Sequence, residues 1–147
     1  MGIRRKAREA SLQLLYEIDL SQKPFEELFQ ESRRSVSLPI AGQEEPAEGQ
    51  AELRDFTQQL VTGVARNMRE IDRLIESHSI HWKISRMALV DRNILRMAVF
   101  ELLYCPEIPS SVTINEAIEI AKRFGTEESG AFINGILDHI AKELKKV

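Results

Sequence analysis

The chain has 147 residues, with 20 Lys and Arg against 23 Asp and Glu and a formal net charge of −3. That length is enough for one domain with a real core, and a hydrophobic share of 43% with 29% charged residues excludes a wholly disordered chain. The single cysteine, Cys105, excludes an intramolecular disulfide; lying in an apolar run, it reads as a buried structural thiol suited to a reducing cytoplasm. The N-terminus lacks the myristoylation pattern and a signal-peptide cleavage site. No apolar run approaches membrane-spanning length, so a soluble cytoplasmic protein with no membrane partner is expected.

In chain order the predicted elements are almost all helices, about seven of them, and no run of alternating β-branched residues marks a strand. The class is all-α. Residues 4–20 form an amphipathic helix whose Ala7, Ala10, Leu14 and Ile18 share an arc expected to pack inward. Phe25, Leu28 and Phe29 suggest a short second helix after Pro24. Residues 35–50 combine two prolines, two glycines and three glutamates with no basic residue, which reads as a mobile acidic connector. Helical spacing resumes at Phe56, Leu60, Val64, Ile71 and Ile75, with a break near Asn67.

The stretch DRNILRMAVFELLYC, residues 91–105, is apolar on nearly every side, and such a helix must be central. Pro106 and Pro109 stop it, and Thr113 with Glu116 three positions on has the spacing of a capping box for the next helix. Ile114, Ala117, Ile118 and Ala121 then face the core, and Gly125 ends that helix. The last helix turns Ile133, Ile136, Ile140 and Leu144 inward.

Residues for enzyme chemistry are lacking. Gly125 and Gly130 have the spacing of a phosphate loop, but Ala131 and Phe132 stand where Lys and Ser or Thr are required. His78 and His81 have no cysteine near them and His139 is remote, so no metal site is expected. Neither a nucleophile elbow nor a Cys-His arrangement is present, which argues against catalysis and leaves no cofactor to assign.

Four basic residues, Arg4, Arg5, Lys6 and Arg8, crowd the start of the first helix, where the helix dipole favours anions. Local stability therefore does not explain them; a frayed, solubilising end or a binding function does. On a helical wheel Arg5 and Tyr16 lie about 20° apart with Leu12 between them, off the apolar arc. Cations beside an outward ring suit single-stranded nucleic acid, by phosphate neutralisation and base stacking, although half-buried packing would equally explain Tyr16. Towards the C-terminus Lys122 falls on a polar helix face, Phe124 at a turn and Phe132 at the margin of an apolar stripe. Two aromatics at a helix junction more commonly belong to a core.

RRKAREASLQLLYEIDL, LVTGVARNMREID, and above all the order INEAIEIAK, Phe-Gly, FINGILD resemble the NusB family of transcription antitermination factors. The likeness spans almost everything except residues 33–52, where the connector is longer than the family usually shows. It implies two small three-helix bundles around the central apolar helix. It also implies binding of boxA RNA together with NusE, a small-subunit ribosomal protein, so that the RNA polymerase elongation complex reads through terminators, notably in ribosomal RNA operons. Carried over by position, the basic motif is Arg4, Arg5, Lys6 and Arg8; Tyr16, Lys122, Phe124 and Phe132 match positions beside the RNA; and Glu128 matches an acidic position linked to partner affinity.

NusE is expected on the C-terminal half, where Glu101 and Glu128 are acidic candidates for meeting a basic protein. The family's behaviour leaves monomer and homodimer both open. Two alternatives remain at this point: a helical protein adaptor without RNA contact, and a stand-alone relative of the NusB-like domain of ribosomal RNA cytosine methyltransferases, whose large catalytic domain has no counterpart here.

Overall fold

The computed structural model describes residues 2–22 and 49–145. The short helix expected at Phe25–Phe29 and the connector up to residue 48 lie outside the described residues. Within them the chain forms six α-helices and one 3-10 turn, with no strand: α1 (Ile3–Ser21), α2 (Gln50–Arg66), α3 (Met68–His78), the turn Ile84–Arg86, α4 (Leu89–Tyr104), α5 (Ser110–Phe124) and α6 (Ser129–Lys145). The all-α expectation holds. The chain divides into two compact units, Met1–Thr62 and Gly63–Val147.

In the first unit α1 buries Ala7, Arg8, Ser11, Leu12 and Leu15, while Ala10, Leu14 and Ile18 are only half-buried. The inward face is therefore turned about a quarter of the wheel from the expected arc. Ser11 makes this feasible: its hydroxyl donates to the Ala7 carbonyl at 2.7 Å, so a small polar residue enters the interior without an unsatisfied donor. Thr57 on α2 uses the same device, donating to Leu53 O at 2.7 Å, and both are almost fully buried. The helix closes on Gln22 in the left-handed region at φ 60°.

In the second unit α4, α5 and α6 pack against one another, and α3 lies against α4 and α6. Every residue of α4 from Asn93 to Glu101 is buried, as its all-round apolarity requires. Close approach is built into Gly63, where a Cβ would sit 2.1 Å from Phe100 Cε1. The break near Asn67 is real: α2 stops at Arg66, α3 begins at Met68, and the Asn67 side chain donates to Gly63 O at 2.8 Å. Ile71, Ile75, Ile133, Ile136 and Ile140 are buried as expected, with Leu144 half-buried. On α5 Ala117 and Ala121 face inward, whereas Ile114 and Ile118 are half-buried and Ile120 takes a core place.

The capping box at Thr113 does not form. The helix begins three residues earlier, at Ser110, with Pro109 as its N-cap and no side-chain cap bond. The preceding proline supplies a preset start to the helix, and Thr113 is left inside the first turn. There its hydroxyl donates to Glu101 Oε1 at 3.1 Å, and both residues are buried. Gly125 ends α5 as expected, in an extended rather than left-handed conformation.

Candidate nucleic-acid interface

The first turn of α1 carries no acidic residue and its N-cap, Gly2, makes no side-chain cap bond, so Arg4, Arg5 and Lys6 stand against the helix dipole without local compensation from a capping carboxylate. Phe56 on α2 provides part of what holds this cationic end. The Arg4 guanidinium lies 4.6 Å and that of Arg8 5.4 Å from its ring centroid. Each such contact contributes about 0.5–2 kcal/mol, more as water is excluded. Arg4 also approaches Glu52 at 3.9 Å, an exposed pair of little energetic weight.

The four basic residues are not equivalent. Arg4 and Lys6 are exposed and Arg5 is half-buried, but Arg8 is only 3% exposed. As one of the four basic residues Arg8 is expected at the surface; the rotation of the buried face towards Leu12 carries it inside, its guanidinium over the Phe56 ring. Tyr16 is half-buried, which leaves part of its ring available.

In the second unit Lys122 is exposed on α5 and lies 3.4 Å from Glu119. Phe124 is 44% exposed at the end of the same helix, with the Arg123 guanidinium 5.1 Å from its ring centroid. It is a surface ring, not a core ring. Phe132, one turn into α6, is half-buried, as its marginal place in the apolar stripe predicts. The α5–α6 turn that carries these side chains is locked: the Thr126 N–H donates to Ser129 Oγ at 2.9 Å, and a Cβ at Gly125 would meet that same oxygen at 2.5 Å.

Of the two acidic partner candidates, Glu128 is exposed at the start of α6. Glu101 is not. It is 2% exposed and accepts the Thr113 hydroxyl, so the structure removes it from the surface expected of a partner contact. Its charged side chain looked solvent-facing because sequence spacing does not reveal that α5 covers it.

Two sets of residues escaped the sequence reading. Phe56 was assigned to the core, and its role as a platform for arginines is visible only once α1 lies on it. Ile80 is 90% and Trp82 51% exposed in the segment between α3 and the 3-10 turn. The chain's one tryptophan in a short interhelical loop was an available signal, since indole rings are frequent at contact surfaces. Trp82 and Phe132 line one cavity of about 330 Å³. Lys122, Thr126 and Asn134 line another of about 510 Å³ beside the α5–α6 turn.

The described residues form an all-helical protein that displays basic and aromatic side chains on its helices, and among them no group of three or more His, Cys, Asp or Glu could hold a metal ion. Comparison with known proteins makes this specific. The NusB family model matches residues 5–142, and the chain belongs to the NusB family. It is 48% identical to the transcription antitermination protein NusB of Desulfatibacillum aliphaticivorans over 149 aligned positions, covering 99% of this chain and 96% of that protein. T. maritima NusB superposes with a TM-score of 0.78 at 38% identity, over 95% of this chain and 91% of that one. The NusB of a crystal structure of antitermination factors NusB and NusE in complex with double-stranded RNA superposes with a TM-score of 0.77 at 28% identity, over 97% of this chain and 98% of that one.

Proposed function

We propose that this chain is a transcription antitermination factor that binds boxA RNA together with NusE and acts on the RNA polymerase elongation complex. Arg4, Arg5 and Lys6 neutralise phosphates, and Tyr16, Phe124 and Phe132 offer rings to unstacked bases, with Lys122 beside them. Arg8 supports the basic end by packing on Phe56 rather than by meeting RNA. Glu128 faces NusE. The protein is not an enzyme and works in the cytoplasm; no helix among the described residues is long and apolar enough to cross a membrane.

The observation that carries this reading is the cationic first turn of α1, exposed at Arg4 and Lys6 and opposed to its own helix dipole. An arrangement that costs helix stability is retained where an anion uses it. The test is titration of a boxA-like single strand at several salt concentrations, with and without NusE. Three phosphate contacts give a slope of log K on log salt of about −2. Arg5→Glu and Lys6→Glu flatten that slope, and NusE raises the affinity of the unaltered protein. A salt-independent affinity, or none, rejects the RNA reading and leaves the protein adaptor.

A further inference from the structure

The cavity shared by Trp82 and Phe132 lies within the second unit and is lined also by Arg86, Met87, Asp91 and Glu128. At about 330 Å³ it falls at the small end of the range for sites that enclose a compact ligand. Its walls join two aromatic rings to the carboxylate of Asp91, in the first turn of α4, whose Oδ1 is buried and has no hydrogen-bond partner among the described residues. Buried polar atoms are nearly always satisfied, so an orphan in the wall of a cavity points to a donor that arrives with a ligand. The terminal torsion of an aspartate is soft, and a small turn presents both oxygens to the cavity.

The charge of the lining selects the kind of donor. Two carboxylates against one guanidinium disfavour a phosphate, and the two aromatic rings in the wall favour a planar ligand with N–H groups at its edge. We infer that this cavity receives a single extruded guanine, its ring against Trp82 and Phe132 and its N1–H and N2–H donated to the two oxygens of Asp91. Guanine is the nucleobase with two adjacent donors on its Watson–Crick edge, the arrangement a carboxylate accepts in parallel. Cytosine and adenine each offer one amino donor beside a ring-nitrogen acceptor, and uracil one N–H between two carbonyl acceptors. Arg86 is placed on the same cavity wall to donate to the guanine acceptor edge. The inference rests on the RNA-binding reading and adds a specificity to it.

The experiment replaces each guanine of a boxA-like single strand in turn by inosine, which keeps the ring and N1–H but lacks the N2 amino group. Binding is measured to the full chain and to Asp91→Asn and Trp82→Ala. The expected result is one position at which inosine weakens binding to the unaltered protein about five- to tenfold, the loss of one hydrogen bond. At that position Asp91→Asn binds guanine and inosine alike. Trp82→Ala, a change at a half-exposed residue, lowers affinity about tenfold with an unchanged salt slope. Tolerance of inosine at every guanine, with salt-dependent binding intact, overturns the guanine site alone. Loss of NusE affinity in Asp91→Asn without loss of RNA affinity also overturns it and gives the cavity to a protein side chain. Absence of any salt-dependent RNA binding overturns the RNA reading and the guanine site with it.

Discussion

Arg96 on α4 holds Asp72 on α3 in a two-pronged ion pair, Nε to Oδ1 at 2.8 Å and Nη2 to Oδ2 at 3.0 Å. The arginine side chain is 9% exposed and the aspartate 20%. Asn93, also on α4, accepts a third guanidinium bond at 3.3 Å, so the charge is enclosed by fixed acceptors. Truncating one partner leaves a nearly buried guanidinium uncompensated. Asp72→Ala is expected to lower stability by about 3 kcal/mol, whereas Asp72→Leu combined with Arg96→Met recovers much of that loss. Urea melts of the single and double variants check it, and an unchanged midpoint for Asp72→Ala contradicts it.

Arg8 and Lys6 are two positions apart and should respond in opposite ways. Arg8 is buried over Phe56, so Arg8→Ala removes a desolvated cation–π contact and the packing of its stem, about 1–3 kcal/mol of stability. Lys6 is exposed, and Lys6→Ala should stay within about 0.5 kcal/mol while weakening RNA binding. Thermal melts beside RNA titrations separate the two; equal stability losses at both sites would contradict the split.

Phe132 and Phe100 are both helical phenylalanines with different burdens. Phe100 is 5% exposed against Gly63, and Phe100→Ala should cost about 3–5 kcal/mol. Phe132 is half-buried and should cost clearly less, while its loss removes about 1–3 kcal/mol of RNA affinity with little dependence on salt. A folded Phe132→Ala protein that binds RNA at full strength returns the ring to a purely structural role.

Tyr104, exposed at the end of α4, donates its hydroxyl to Glu70, and that hydrogen bond, followed by desolvation and the carboxylate's charge, raises its pKa above the ordinary tyrosine value. A group whose pKa is higher folded than unfolded stabilises the fold below its unfolded pKa and loses that contribution as pH rises through the folded value. The contribution is small because the site is open to solvent. Glu70→Gln is expected to move the Tyr104 phenolate absorbance titration downward, back towards the ordinary tyrosine range. A midpoint that stays in place would show that Glu70 is not the cause.

Helix identity was legible from periodicity because burial in α2, α3, α4 and α6 follows large aliphatic residues such as Leu60, Ile75, Ile94 and Ile133. In α1 the helix was legible but its inward face was not, because apolar residues occur nearly all round. There the inward direction was decided by Ser11 and by the arginine-to-ring contact with a residue some fifty positions away, neither of which enters a hydrophobic pattern. The start of α5 was misread for a related reason: Thr113 satisfies Glu101 across helices rather than capping its own. Tyr16, Lys122, Phe124 and Phe132 were singled out as candidates by their type and by family likeness. Trp82 and Asp91 were not singled out, because a cavity gathers residues that no sequence spacing links.

The hydroxyl of Ser129 sits where a side chain at residue 125 would need to be, and it grips the backbone of Thr126 at the same time. Freedom is thus removed from the α5–α6 junction while the chain folds, before any ligand arrives. A molecule that meets Lys122, Phe124 or Phe132 finds a backbone already fixed, and its binding free energy is not reduced by ordering that backbone. Replacing Ser129 would therefore act as an entropic change: the same contacts would remain on offer, from a more mobile platform, and the bound state would dissociate faster.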